Sequence, residues 1–201
     1  MNCPVIVLAA GASSRMGGID KLLQQVDGRP LVRRQVDMAR AVADEVLVAL
    51  PPRPHPRYAV LEDADVTRIE VTDASEGMNA SLRAAFAALP DTASAAMLLL
   101  GDLPDVTEED LNTVLEAVDL TSETLIWRGM TQDGKPGHPV VFRNTLFPRF
   151  AELTGDSGGQ SVVAAAQGRI TLIALPGTRA RADLDTPRDW DRWRTENPER
   201  S

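Results

Sequence analysis

Leu8-Ala9-Ala10-Gly11-Ala12-Ser13-Ser14-Arg15-Met16-Gly17-Gly18-Ile19-Asp20-Lys21 continues an apolar run that begins at Pro4. A buried strand that opens into a loop with three glycines, an arginine and a lysine suits a polyphosphate ligand. Backbone N–H groups can point at the phosphate oxygens while the two cations neutralise them. The loop follows the first strand, and open α/β sheets bind ligands at the carboxyl ends of their strands. Gly11 lets a ligand approach the backbone, and Gly17 and Gly18 permit positive φ. Arg15 offers a fork for phosphate oxygens, whereas Lys21 is a compact point charge. The plainer alternative is a mobile glycine loop with two solvated cations. Spacing excludes two named motifs. A P-loop places its lysine directly after the last glycine of G-x-x-x-x-G-K, but here Gly18 follows Gly17 and the lysine comes three positions later. A dinucleotide fingerprint needs G-x-G-x-x-G, but position 13 is Ser13.

Working outward, apolar runs alternate with amphipathic stretches, the pattern of an α/β domain with a mainly parallel sheet. Strands are expected at 4–10, 45–50, 67–72, 95–100, 124–128, 138–142 and 169–175, with the strand from His138 read as the antiparallel candidate. Helices are expected at 30–43, 78–89, 107–118 and 161–167, and from Thr186-Pro187 onward. Thr107 with Asp110 approximates a capping box, and Thr186 before Pro187 is an N-cap followed by proline at the first helical position. Residues 51–60 hold four prolines and read as a loop that a short helix could follow, with His55 exposed in it. The expected architecture is a three-layer α/β/α domain over residues 1–195 with a mostly parallel sheet of about seven strands. Residues 196–201 are expected to be a frayed tail.

Composition narrows the partners. The 201 residues are 43% hydrophobic and 25% charged, ordinary for a globular chain, and the 4% aromatic content leaves the core to aliphatic residues and alanine. A net charge of −8 argues against a general nucleic-acid or anionic-membrane surface, yet leaves room for a small phosphate ligand held by local cations. Cys3 is the single cysteine, so no intrachain disulfide forms, and the short apolar start is neither a signal nor a membrane span. The expectation is a cytoplasmic protein. One cysteine with His55 and His138 does not make a structural zinc site.

Further segments carry chemistry. Leu100-Gly101-Asp102-Leu103-Pro104 ends a buried strand and sets a carboxylate facing the first loop. A triphosphate brings Mg²⁺, which takes one or two carboxylates with phosphate oxygens and water. Taken alone, Gly101-Asp102 reads as a turn. Asp183-Leu184-Asp185-Thr186-Pro187 alternates two carboxylates before a helix, and charge complementing the helix dipole is the competing explanation. Asp183 and Asp185 both stay open as the second metal ligand, with Asp185 preferred. Glu76-Gly77-Met78-Asn79-Ala80-Ser81-Leu82 opens a helix that offers free N–H groups and hydroxyls, against ordinary capping by Ser75 or Asn79.

These segments together resemble the nucleotidyltransferases of the molybdenum cofactor cytidylyltransferase and guanylyltransferase fold, the MobA/MocA-type NTP transferase superfamily. Its pattern is L-A-[A/G]-G-x-x-x-R-M-G followed shortly by a lysine, and the likeness runs from residue 4 to about 190. The resemblance implies a nucleotide-diphospho-sugar transferase-like, Rossmann-type fold. It puts Leu8, Ala9, Ala10 and Gly11 near the base and ribose, and Arg15, Gly17 and Lys21 around the phosphates. It gives Asp102 a role in holding Mg²⁺, with Asp185 as its partner. It places Gly77 and Ser81 at the base, because the segment is similar to the E-G-M-x-x-S-L of the cytidylyltransferase branch. The guanylyltransferase branch usually has L-A-G-G in the first loop, so CTP is expected. Gly134-Lys135-Pro136-Gly137-His138-Pro139-Val140 is similar to the family's G-x-x-G-[H/N]-P-V, and Thr154-Gly155-Asp156-Ser157-Gly158-Gly159 to its T-G-D-x-G turn. These imply that His138 and Asp156 touch the acceptor, although His138 reads equally well as a structural histidine.

The implied reaction is attack of an acceptor phosphate on the α-phosphorus of CTP, with Lys21, Arg15 and Asp102 as the catalytic groups. Molybdopterin carrying molybdenum is the first acceptor, with a molybdoenzyme as the partner that receives the product. Competing readings are a sugar- or polyol-phosphate cytidylyltransferase, a GTP-using guanylyltransferase, and a non-catalytic nucleotide- or cofactor-binding chaperone.

Overall fold

The computed structural model describes residues 1–155 and 157–200. Strand β1 is Val5–Leu8, and a two-stranded ribbon of β2 (Gln25–Val26) and β3 (Arg29–Pro30) leads into helix α1 (Leu31–Val42). Strand β4 (Val46–Leu50), helix α2 (Pro56–Val60), strand β5 (Thr67–Glu70), helix α3 (Met78–Ala87), strand β6 (Ala95–Leu100) and helix α4 (Glu108–Glu116) follow. The second half contains β7 (Ile126–Met130), β8 (Pro136–Arg143), α5 (Phe147–Phe150), α6 (Gln160–Ala165), β9 (Ile170–Ala174) and α7 (Pro187–Glu196).

Seven strands form one sheet in the order β5-β4-β1-β6-β8-β7-β9. β8 runs antiparallel to both its neighbours, β6 and β7, and the other pairs are parallel. The expected mixed sheet with one reversed strand is what forms. The reason is visible in β1, where Val5 and Val7 pack into one apolar layer and Ile6 and Leu8 into the other. A strand buried on both faces must be apolar throughout and must have helices on both sides.

On one face α1, α4 and α7 cover the sheet, with Trp190 and Trp193 in an edge-to-face pair at 6.1 Å. On the other lie α3, α5 and α6, where all four phenylalanines of the chain meet and Phe86 stacks on Phe150 with ring centroids 3.4 Å apart. Aromatic content is low but concentrated, because α3 and α5 need large side chains to fill the gap above β8.

Two local expectations change. The four-proline segment does give way to a helix, α2, and His55 is half-buried because its Nδ1 accepts the Arg57 backbone N–H as the N-cap. Of the tail expected to fray, residues 196–200 are docked, and Ser201 lies outside the described residues. Pro198–Arg200 form a 3-10 turn, and Arg200 pairs with Asp27 and Asp105 while donating to the Pro104 carbonyl. No helix among the described residues is long and apolar enough to cross a membrane.

Candidate active site

The carboxyl ends of β1 and β6 lie side by side in parallel register, Leu8 opposite Leu100. Gly101 is required there, because a Cβ would come within 2.8 Å of the Leu8 carbonyl oxygen. That close approach turns the Asp102 side chain toward the loop that leaves β1. The loop contains a 3-10 turn at Ser14–Met16, closed by Gly17 at φ 63° with Gly18 at φ 93°, and a second at Lys21–Leu23. The positive φ expected of both glycines is therefore used.

Lys21 Nζ lies 2.6 Å from Asp102 Oδ2 and 2.6 Å from Asp185 Oδ1, and Arg15 reaches Asp185 Oδ2 at 2.7 Å. Four residues from three distant parts of the chain thus form one charge cluster. The Leu184 N–H donates to the Asp102 carbonyl at 3.3 Å and ties the two acidic segments together. Burial works against the charge on Lys21, but Asp102 and Asp185 outweigh it and hold its pKa above the ordinary lysine value. Burial likewise pushes the Asp185 carboxyl upward, yet the Lys21 hydrogen bond and the Lys21 and Arg15 charges keep it below the usual range. Asp183 behaves oppositely: burial, then the charges of Asp102 and Asp185, raise it.

This cluster borders a cleft of about 270 Å³. Leu8, Ala10, Gly11 and Leu22 form one wall, and Leu100 and Asp102 the floor. Met78 and Ser81 from the first turns of α3 close the far side, with Asp183 and Asp185 at the rim. The structure therefore brings together Leu8, Ala10, Gly11, Lys21, Ser81, Asp102 and Asp185, with Asp183, the alternative second metal ligand, in the same lining. Arg15 joins through Asp185 with its side chain largely in solvent. Ala9 is buried and does not line the cleft; its carbonyl accepts from Arg57. Gly17 and Gly77 lie outside the lining. Gly77, at φ 102°, is the bend that starts α3. Neither Ser75 nor Asn79 caps α3: buried Asn79 instead donates to the Thr154 carbonyl and accepts from the Gly159 N–H, which ties both residues to α3. Asp156 lies outside the described residues. His138 sits in β8, half-buried, and lies outside the residues that line the cleft.

The two carboxylates suit a divalent cation. Asp102 Oδ1 is buried with no hydrogen-bond partner, an expensive state for a carboxylate oxygen unless a ligand completes it. Among the described residues no group of three His, Cys, Asp or Glu side chains gathers to hold a metal. The donor set is thus the sparse one of a site where phosphate and water supply the remaining ligands.

One determinant is invisible to motif reading. Arg57 of α2 is 1% exposed in its side chain and pairs with Asp20 at 2.6 Å. Its guanidinium also donates to the Ala9 carbonyl at 2.6 Å and to Ser13 Oγ at 3.3 Å. Ser13 holds a left-handed φ of 53°, and its hydroxyl accepts the Lys21 N–H. Arg57 is therefore the fastening that sets Lys21 in place.

A family model described as the MobA-like NTP transferase domain matches residues 5–170. The molybdenum cofactor guanylyltransferase of Shewanella putrefaciens is 25% identical over 142 residues, covering 70% of this chain and 68% of that protein. The bifunctional protein GlmU of Marinobacter nauticus is 30% identical over 142 residues, 70% of this chain but 30% of that protein, so the chain spans less than a third of that relative's length. Among solved structures, Rv0371c of Mycobacterium tuberculosis superposes with a TM-score of 0.79 at 28% identity, covering 96% of this chain and 97% of that one. The same mycobacterial protein in complex with manganese superposes with a TM-score of 0.76.

Proposed function

The chain belongs to the MobA-like NTP transferase family, and from that premise we propose that it moves a nucleotidyl group from CTP to a phosphate-bearing acceptor and releases pyrophosphate. The observation that carries this reading is the Lys21 clasp on Asp102 and Asp185 at the mouth of a cleft that ends β1 and β6. In this reading Asp102 and Asp185 hold a divalent cation, Mg²⁺ or Mn²⁺, which when bound neutralises α- and β-phosphate oxygens. Lys21, set between the two carboxylates, would supply its ammonium as positive charge to the triphosphate. Arg15, on the exposed side of the same cluster, has the reach to follow the departing pyrophosphate. The attacking phosphate is already anionic, so the protein needs no general base. Its contribution is alignment and preorganised positive charge.

The base lies between the first loop and α3. Leu8 and Ala10 supply apolar surface there, and Ser81 is the one hydroxyl of the α3 wall. Ala10 in place of the glycine of L-A-G-G supports cytosine over guanine. The acceptor favoured by the combined motifs is molybdopterin carrying molybdenum, passed on to a molybdoenzyme. Because the similar curated protein from Shewanella putrefaciens is a guanylyltransferase, the decisive experiment compares bases. Melting temperatures are measured with CTP, GTP, ATP and UTP, each with Mg²⁺ and with Mn²⁺, since a ligand stabilises the state that binds it. CTP should give the largest shift, and pyrophosphate should appear only when an acceptor is added. A larger shift with GTP would reverse the base, and tight nucleotide binding without pyrophosphate release across a panel of phosphorylated acceptors would make this a binding protein.

A further inference from the structure

The segments that supply Lys21, Asp102 and Asp185 meet a second time, outside the residues that line the cleft. Helix α7 begins just after Asp185 and leads into the 3-10 turn Pro198–Arg200. Lys21 leads through the β2–β3 ribbon to Asp27, which has a left-handed φ of 54°. Asp102 leads to Pro104 and Asp105. Arg200 joins the two. Its Nε and Nη2 donate to Asp27 Oδ1 at 2.9 Å and Oδ2 at 3.1 Å. Its Nη1 donates to Asp105 Oδ1 at 2.9 Å, and Nη2 also reaches the Pro104 carbonyl at 2.8 Å. The Arg200 carbonyl accepts the Asp27 N–H at 2.8 Å, so the backbone closes the same link.

Neighbouring contacts keep this grip in shape. Trp193 Nε1 donates to the same Asp105 Oδ1 at 2.9 Å, and the Arg200 guanidinium lies 5.1 Å from the Trp193 ring centroid. Arg194 donates to Gln24, the residue that ends the turn carrying Lys21. Arg34 of α1 bridges the two segments again, from Asp27 to the Val106 carbonyl. The Arg200 hydrogen bond outweighs burial and, with Arg34, holds the Asp27 carboxyl below the usual range. Arg200 is 24% and Asp27 40% exposed in the side chain, so solvent screens the ion pair and its share of global stability is small. What the fork fixes is a relative position, because planar donors spread over acceptors on two segments fit one placement of each. Small misplacements matter at such a site, since a shift of about 1 Å can cost 10²-fold in rate.

We propose that Arg200 is a positioning residue for the metal and nucleotide site, which sets the Lys21 segment against the Asp102 segment from the far end of α7. Its role rests on the nucleotidyl-transfer reading, in which a cation on Asp102 and Asp185 meets a triphosphate held by Lys21. A cation and a nucleotide that share phosphate oxygens strengthen each other's binding, and the coupling is reciprocal. That coupling requires the two segments to keep their spacing, whereas the nucleotide without metal needs only the loop that carries Lys21. Loss of Arg200 therefore acts on the coupling rather than on the metal-free affinity.

CTP is titrated into the protein by calorimetry with and without Mg²⁺, and the ratio of the two affinities reads the coupling. Arg200→Gln should lower that ratio about tenfold while CTP affinity without metal stays the same. Asp27→Asn removes the other end of the link and should lower the ratio comparably. The double variant should be little worse than Asp27→Asn alone, since residues of one network are non-additive. Arg200→Lys keeps the charge without the fork and should restore only part of the ratio. Arg143→Gln is the control for general loosening: it severs bonds to the Leu120 and Ser122 carbonyls, outside the cleft lining, and should lower stability with the ratio unchanged. An unchanged ratio in Arg200→Gln, or an equal fall in Arg143→Gln, overturns the proposal. Amide hydrogen exchange separates this failure from failure of the function. In Arg200→Gln, exchange at Leu23 and Gln24 should accelerate while β1 stays protected. If the wild type binds no CTP, nucleotidyl transfer fails, yet these two amides still decide whether Arg200 fastens the Lys21 turn, and unchanged exchange there overturns it.

Discussion

Arg57 grips Asp20 at two points, Nε to Oδ2 at 2.8 Å and Nη2 to Oδ1 at 2.6 Å, beneath the loop that presents Lys21. The Leu22 N–H donates to the same carboxylate at 3.0 Å, so the turn that carries Lys21 is anchored on both sides of it. Arg57→Lys keeps the charge and loses the fork. It should destabilise the protein by about 2–4 kcal/mol, the scale of a broken buried pair. It should also weaken nucleotide binding, although Arg57 is not among the residues that line the cleft. Denaturant unfolding and calorimetric nucleotide titration check both, and undiminished nucleotide affinity would show that the loop holds its shape without the clamp.

Lys21→Ala separates two effects. It should lower the single-turnover rate of transfer from α-labelled CTP by about 10²–10³, as removal of a preorganised charge donor does. It also leaves Asp102 and Asp185 facing each other without their shared cation, so the melting temperature should fall. A divalent cation can replace the ammonium, hence Mg²⁺ or Mn²⁺ without nucleotide should raise the melting temperature of Lys21→Ala more than that of the wild type. Equal metal-induced shifts would remove these two carboxylates from metal binding, and an unimpaired transfer rate would remove Lys21 from the chemistry.

The division between what the sequence discloses and what it hides follows contact range. β1 and β6 are legible because a strand buried on both faces is continuously apolar, and Thr107 and Thr186 because a cap lies within three residues of its partner. Lys21, Asp102 and Asp185 are legible as separate motifs, and the fold then brings them within 2.6 Å. Arg57 leaves no such mark. It sits in a proline-rich stretch 48 residues from Ala9, and its role exists only once β4 has carried the chain back beside β1. The docked tail is a further case, because Arg200 finds Asp27 across 173 residues of sequence.

His138 predicts a pH dependence. Burial, then the Arg128 and Arg181 charges, hold its imidazole down to about 3 in the folded protein, below the ordinary histidine value of 6.5. A histidine held neutral in the folded state contributes stability that is fully present above 6.5 and is lost as the pH falls toward 3, where the unfolded chain takes up the proton first. The stability difference between wild type and His138→Gln should therefore shift in favour of the variant between pH 7 and pH 4. The His138 imidazole proton resonance should show no titration across that range. A midpoint near 6.5 would mean that the imidazole is freely solvated.

Gly137→Ala tests whether the turn at Arg179–Arg181 must lie on β8. A Cβ at Gly137 would overlap the Ala180 carbonyl oxygen and come within 2.6 Å of its carbonyl carbon. Both obstacles are backbone, so the turn has to move as a unit rather than flex a side chain. The cost should be about 1–3 kcal/mol, the range for forcing a methyl into a packed site. The displacement should also be felt along the chain, since the turn leads directly into Asp183 and Asp185. Nucleotide affinity in the presence of metal should fall along with stability. Gly134→Ala, on the loop joining β7 to β8, serves as the control: its Cβ meets nothing within 4 Å, though its φ of 85° adds strain. It should lower stability without changing metal-dependent nucleotide binding. Equal losses of nucleotide affinity in the two variants would show that the packing of Ala180 on Gly137 does not position the acidic segment.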